Sequence, residues 1–268
     1  MVKLDHVVFN ARDRVDEVAV LFDRLGFTVG PRGHHSLGSI NHTVVFGDDY
    51  LELLGYPSGA PPALRPELAA NPTGLMATVL RSADADATRG ELLAAGFAPR
   101  PVQEFSRPVA LPDGGHAEAA FRVTRLEPDA VEGTWFYFCQ HLTPELVWRP
   151  QSQRHANGAL GMCAIDIDVA DPAAVAPAYR ACTGTHPLPP EVGSTLPIRV
   201  AIPGCEIRLH RAAKVSGMTG LSFAVHSLDD VAALFRRTGI AFASKENLLQ
   251  VDPAATFDVK LQFAVRAR

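Results

Sequence analysis

Leu4-Asp5-His6-Val7-Val8-Phe9 decides the fold, because its outline returns three times: Leu75-Met76-Ala77-Thr78-Val79-Leu80, Met162-Cys163-Ala164-Ile165-Asp166-Ile167 and Leu221-Ser222-Phe223-Ala224-Val225-His226. Each copy reads as a strand and is followed by a polar turn with an aspartate, a helix-like stretch and a glycine (Gly26, Gly96, Gly184 and Gly239). Only the first copy carries a histidine at its third position. A repeat that keeps its scaffold while one copy gains a metal-capable side chain marks His6 as a residue with a task.

The first unit shows the order of elements. After the strand over 4–9, Val18, Leu21, Phe22 and Leu25 recur at i, i+3, i+4, i+7 and predict an amphipathic helix. Gly26 suits the left-handed helix end, and Phe27-Thr28-Val29 then reads as the start of a strand. The stretches 35–46 and 50–56, joined by a turn at Gly47-Asp48-Asp49, read as further strands. The second unit repeats this with a strand over 75–80, a helix over 87–95, strands over 102–105, 117–126 and 134–142, and a turn at Pro112-Asp113-Gly114. The third has a helix around 173–182 and strands over 196–202 and 206–210; the fourth has a helix over 228–238 and strands through 245–251 and 256–265.

The spacing of the copies is too uneven for a solenoid and suits four units with loop insertions. One βαβββ unit leaves a sheet face and an edge uncovered, so the units pair into curved sheets with helices outside and a cleft inside. The prediction is an α+β protein of four βαβββ modules in two domains, 1–151 and 152–268, with the polar stretch 149–154 as linker and the proline-rich 55–71 as a connector.

Composition narrows the function. An apolar content of 47% over 268 residues supports a real core, while a net charge of -4 offers no basic face to a nucleic acid. No apolar run reaches the roughly 20 residues of a membrane helix. The N-terminus enters a strand pattern without a signal peptide, which predicts a cytoplasmic protein. The four cysteines are scattered without C-x-x-C spacing and read as small buried hydrophobes. No glycine-rich phosphate loop follows a strand, so a small molecule other than a nucleotide is the expected partner; a homodimer is compatible with the pattern.

Strand alternation then sorts side chains by face. It places Leu4, His6 and Val8 together with Asn10 next in line, groups Glu52 with Tyr50 and Leu54, and groups Tyr137 with Cys139 and His141. An acid inside Tyr-Leu-Glu-Leu-Leu and a histidine ending Trp-Phe-Tyr-Phe-Cys-Gln-His are costly to bury unless paired, protonated or metal-bound. Each alone also fits a satisfied core or surface residue. Two imidazoles and a carboxylate from different strands are together a usual ligand set for a divalent metal with open positions.

The Leu-Asp-His-Val-Val-Phe start, Gly38-Ser39-Ile40-Asn41, Tyr50-Leu51-Glu52-Leu53 and Gln140-His141-Leu142-Thr143-Pro144-Glu145 resemble the glyoxalase-like branch of the vicinal oxygen chelate superfamily. The resemblance is good over 1–150 and one of fold only over 155–268. It implies a divalent metal (iron, manganese, zinc or nickel) held by His6, Glu52 and His141, with Ala77 in the place of a fourth ligand. It also implies a second pair of modules without ligands, where Ala164 and Phe223 stand at the first-strand positions and Arg208 replaces an acid. Tyr50, Tyr137 and His42, the last as general base or hydrogen-bond donor, are the catalytic candidates, with Asn10 and Asn41 as substrate contacts. Arg32-Gly33-His34-His35 reads as a polar loop or as the cleft entrance. The implied activity is lyase or isomerase chemistry on a small oxygenated substrate through a metal-bound enolate or alkoxide. A ring-cleaving iron(II) dioxygenase and a metal-free sequestering protein are the alternatives.

Overall fold

The computed structural model describes residues 2–59, 65–111, 114–188, 196–214 and 217–265. Two mixed sheets hold the chain. The first contains β1 (Leu4–Arg12), β2 (Gly33–His34), β3 (Ile40–Val45), β4 (Tyr50–Gly55), β5 (Gly74–Arg81), β6 (Gln103–Ala110), β7 (His116–Arg125) and β8 (Trp135–His141), in the order β2-β3-β4-β1-β5-β8-β7-β6. The second contains β9 (Ala159–Val169), β10 (Ile198–Ile202), β11 (Cys205–Arg211), β12 (Gly217–Val225), β13 (Phe242–Lys245), β14 (Leu248–Val251) and β15 (Lys260–Val265), ordered β10-β11-β9-β12-β15-β14-β13. The helices are α1 (Val15–Arg24), α2 (Pro66–Ala70), α3 (Ala85–Ala94), α4 (Pro172–Thr183) and α5 (Leu228–Thr238). The predicted α+β fold of four paired modules in curved sheets is the one observed; in the third module the first hairpin strand shrinks to a bridge between Leu188 and Arg199.

The helix signals have physical readings. Asp84 caps α3 by accepting from the amides of Asp86 and Ala87, Asp171 caps α4 from Ala173, and Ser227 caps α5 from Asp230. Gly184 and Gly239 end α4 and α5 at φ 68°, the left-handed cap glycine reaches without strain. Gly26 has a further role: a Cβ there would run into Leu234 of α5, so the bare backbone lets the first module approach the fourth.

One apolar cluster joins the outer faces of both sheets and packs α1, α4 and α5 between them. Phe27 lies 4.8 Å from Phe223 and 5.9 Å from Phe263 between ring centroids, and Phe46 lies 5.8 Å from Phe223. The predicted linker is stitched to this seam. Gln153 donates to the carbonyl of Phe46, His155 bridges the amide of Thr28 and the carbonyl of Val45, and Asn157 donates to Leu25. The Phe27 amide turns back to the carbonyl of Phe22 and the Thr28 amide is taken by His155, so 27–29 forms no strand, contrary to its apolar reading. The stretch 35–46 also differs from expectation: His35 begins a tight turn, with Gly38 donating back to its carbonyl, and the strand starts at Ile40. Pro112 and Asp113 of the predicted turn lie outside the described residues; their flanking strands pair up to Ala110 and His116.

The first sheet curls until its ends nearly meet. Ser36, just past β2, donates to Ser106 of β6 at 2.9 Å, and the Ser106 amide donates to the Ser36 hydroxyl at 3.2 Å. A second apolar cluster, including Val8, Tyr50, Leu54, Val79, Phe121 and Tyr137, fills the concave side of this near-barrel.

Candidate functional site

Within the first sheet lies a cavity of about 580 Å³ including its open mouth, lined by His6, His35, Asn41, Glu52, Tyr50 and Tyr137 among others. It is placed by the central strands: β1 pairs in parallel with β4, His6 opposite Tyr50, and Glu52 follows two residues on along the same face.

A bulge decides what reaches this face. Leu4 pairs with Leu80, yet His6 pairs with Val79, so Asp5 is an extra residue on β1. Leu4 accordingly joins the outer cluster with Val7 and Phe9, and does not share the face of His6 and Val8. Asp5 sits behind His6, fully buried, where simple alternation would have turned it away. Its Oδ1 accepts from His6 Nδ1 at 2.7 Å and from His141 Nε2 at 2.9 Å, and its Oδ2 accepts from Arg81 Nε at 3.1 Å. Burial alone would raise the Asp5 pKa, but the bonds from His141 and His6 outweigh it and hold the carboxyl far below the usual range.

The tautomers follow. A carboxylate only accepts, so His6 carries a proton on Nδ1, and its Nε2 lies 3.7 Å from Glu52 Oε2. His35 repeats the arrangement from the other side. Its Nδ1 is hydrogen-bonded to the Ser39 hydroxyl at 2.9 Å, which Arg65 also approaches at 2.9 Å, and its Nε2 lies 3.4 Å from Asn41 Nδ2 and 3.7 Å from Glu52 Oε1. Burial lowers the His35 pKa to about 4, against the opposing pull of Glu52, so the ring is neutral near pH 7. Asn41 donates to Glu52 Oε1 at 2.6 Å. Burial pushes the Glu52 pKa up, but His35, His6 and the Asn41 bond together bring it below the ordinary value. Two imidazole Nε2 atoms thus stand near one carboxylate with both Nδ1 atoms tied back. Imidazole and carboxylate are donor types that suit a divalent cation, with Asp5 as the outer partner that orients a histidine.

His6, Glu52, Asn41, Tyr50 and Tyr137 all line the cavity. His141 is near but turned to Asp5; its Nδ1 is buried without a hydrogen-bond partner, and its ring packs against Phe121 and Trp148. Asp5, Cys139 and His141 place potential ligand atoms within 4.8 Å of one another, although burial raises the Cys139 thiol well above its usual pKa. By register Ala77 faces Trp135, as His6 faces Tyr50, so the counterpart of Glu52 two residues on is Tyr137, and His141 lies four residues beyond it.

Two candidates sit elsewhere. His42 follows Asn41 in β3 and therefore points to the opposite face, where it meets the carbonyl of Gly30 at 2.7 Å and Asp16 at 3.4 Å. Asn10 is fully buried, and its amide is spent on the carbonyls of Leu68, Asn71 and Pro72, which fastens α2 and its connector to β1. In the second sheet Ala164 keeps its expected inner position, but Phe223 points into the shared core, and Ser222 holds the inner place on β12. Sequence reasoning left out Asp5 as well as Arg65, Arg107 and Arg125, which also line the cavity.

The comparisons agree with this geometry. The model of the glyoxalase-like domain family matches residues 4–183, and the chain belongs to that family. Its fold is that of the vicinal oxygen chelate superfamily. A hypothetical protein from Staphylococcus aureus superposes at TM-score 0.72 with 11% identity, covering 99% of this chain and 100% of that one. A xylose isomerase-like TIM barrel/4-hydroxyphenylpyruvate dioxygenase fusion protein matches at TM-score 0.62 and 14% identity over 99% of this chain and 49% of its own. A mutant of 4-hydroxymandelate synthase from Streptomyces coelicolor matches at TM-score 0.59 and 14% identity over 100% and 94%. At these identities the likeness is one of fold. No curated protein sequence matches the chain. Among the described residues no helix is long and apolar enough to cross a membrane.

Proposed function

We propose that the protein is a divalent-metal-dependent enzyme acting on a small oxygenated substrate, by lyase or isomerase chemistry, in the cavity of the first sheet. The observation that carries this reading is the approach of His6 Nε2 and His35 Nε2 to the two oxygens of the buried Glu52, each at 3.7 Å. His6 and Glu52 would hold the metal. His35 would supply the third ligand by closing toward Glu52 and leaving Asn41, and His141, the expected third ligand, only by leaving Asp5. A divalent ion there would polarise a substrate carbonyl or hydroxyl.

The chain's own groups do the remainder. Asp5 fixes the tautomer of His6 and Asn41 fixes the carboxylate of Glu52. Tyr137 is held protonated by burial, so its hydroxyl acts as a hydrogen-bond donor to a substrate oxygen. The apolar walls exclude water from a charge developing on the substrate. With His42 on the outer face, proton transfer falls to His35 where His141 completes the metal site. The soluble-partner, cytoplasmic and homodimer expectations stand as part of this proposal.

The test is metal content of protein purified without chelators, for the wild type and for Glu52→Gln, His35→Ala and His141→Ala. Near-stoichiometric metal that falls below about a tenth in Glu52→Gln supports the reading, and the two histidine variants identify the third ligand. A wild type that takes up no divalent metal on reconstitution overturns it in favour of a sequestering protein.

A further inference from the structure

The cavity holds more positive charge than its own carboxylates neutralise. Three arginines line it, from three separate places: Arg65 from the connector, Arg107 from β6 and Arg125 from the end of β7. Arg65 is paired with Glu67. Among the described residues neither Arg107 nor Arg125 has a carboxylate within ion-pair distance, and Arg107 has no hydrogen-bond partner. Arg125 donates to the neutral Gln103 at 2.6 Å and stacks 5.1 Å from the Tyr137 ring centroid. Guanidinium does not deprotonate, so in a half-buried cavity its charge is costly until an anion meets it.

Two further observations point to a ligand. The Tyr137 hydroxyl, inside the same wall, is buried without a hydrogen-bond partner, a cost that a ligand acceptor would remove. Arg107 passes beside Gly33 of β2, where a Cβ would collide with Asn41 Oδ1 and press on the Arg107 side chain. Beside these donors stands an apolar wall that includes Phe105 and Phe121, stacked at 5.2 Å.

Resting on the reading of this cavity as the substrate site, we infer that the substrate is an organic carboxylate with an apolar body. Its carboxylate is held by Arg107, Arg125 and the Tyr137 hydroxyl, and its apolar part lies on Phe105 and Phe121. A planar carboxylate matches a guanidinium fork and one further donor, and the neighbouring apolar wall favours it over the more strongly hydrated dianionic, three-oxygen face of a phosphate ester. Glu52, the one anionic group opposite, then repels a misoriented acid and sets which end of the substrate reaches His6.

The test is calorimetric titration of the whole protein, stripped with EDTA so that no metal contributes, with 3-phenylpropanoate and hexanoate, their primary amides, and phenyl phosphate. The acids are expected to bind at least tenfold more tightly than the amides and than phenyl phosphate. Arg107→Gln and Arg125→Gln should each weaken acid binding by about 10–100-fold while changing amide binding less than about twofold. Tyr137→Phe should weaken it about three- to tenfold. Among the described residues the Arg107 side chain makes no hydrogen bond, so its variant is expected to fold as the wild type does and keeps the test decisive. Equal affinity for acid and amide, preference for phenyl phosphate, no acid binding at millimolar concentration, or arginine variants that leave acid binding unchanged would overturn the inference. Failure of the metal reading shows separately as absent metal in the unstripped protein and leaves the acid-to-amide ratio unaffected.

Discussion

The two concave sheet faces share a topology and differ in what their inner side chains do with one another. In the first sheet His6 and Glu52 stand in a wall shared by apolar side chains and arginines, and among the described residues Arg107 and Arg125 have no carboxylate partner. In the second, Ala164 and Arg208 stand in the corresponding places, and Arg208 is consumed by Glu206 at 2.6 Å and by Asp166 at 3.9 Å. His210 meets Asp166 at 2.7 Å, and Ser222, Gln262 and Gln250 bond in a chain. A network that satisfies itself has little left for a ligand. A cavity with facing imidazole nitrogens, an orphaned phenol and uncompensated guanidiniums is incomplete until something binds. The lesson is that a duplicated scaffold becomes a site where its polar groups are left unpaired.

Substitutions break or sharpen this contrast to graded extents. The largest effect is expected where the halves meet. Phe223→Ala removes a fully buried ring that packs on Phe27 and Phe46, and should cost about 3–5 kcal/mol in chemical denaturation. A loss under about 1 kcal/mol would mean that the sheets do not share a core. Next, Asp5→Asn leaves the shape of the bulge and removes the charge that serves two histidines and Arg81. Stability should fall by about 2–4 kcal/mol, and metal affinity, read by competition with a chelating dye, by about 10–100-fold. Unchanged metal affinity would show that Asp5 does not orient His6.

A smaller effect belongs to the seam. Burial lowers the His155 pKa to about 4, against a weaker opposing effect of its bond to Val45. Its folded pKa lies below the unfolded value of about 6.5, so the unfolded chain alone takes up the proton in between, and stability falls as pH drops from about 6.5 to about 4. Discounted for partial exposure, this contribution is about 1–2 kcal/mol. Asp49, raised by burial to about 7, works in the opposite sense, losing stability as pH rises from about 4 toward 7. The readout is therefore the difference between the wild type and His155→Gln, whose pH slope over that range should be the flatter. Parallel slopes would contradict the assignment. The smallest effect is expected at Arg208→Gln in the second sheet: within about 1 kcal/mol in stability and without change in metal content or acid binding. A loss of either would place a site on the wrong sheet.

Much of this contrast was legible in the sequence. The recurring strand, the capping residues and the helix-ending glycines defined four modules, and alternation put Glu52, Tyr50 and Tyr137 on the inner face as observed. The same alternation failed at one bulge, which no local signal around Asp5 announces, and so Leu4 was assigned to the wrong face and Asp5 was missed. Asn41 and His42 were both expected at the site, although adjacent strand residues face opposite ways; only the pairing of β3 with β4 shows which one enters. His35 is a ligand candidate only because the chain turns back after β2. The arginines converge from β6, β7 and the connector, and that long-range closure has no signature in spacing. Asn10 showed no sign of its carbonyl partners because they belong to a connector far along the chain.

The central claim, that the first sheet alone carries a metal centre, is tested most directly by an anomalous difference map from crystals grown without chelator and measured across the absorption edge of the metal found in the protein. The account predicts one strong peak between His6 and Glu52 that vanishes in Glu52→Gln. A peak beside Asp166 and His210 in the second sheet, or no peak in either concave face after metal soaking, would contradict it.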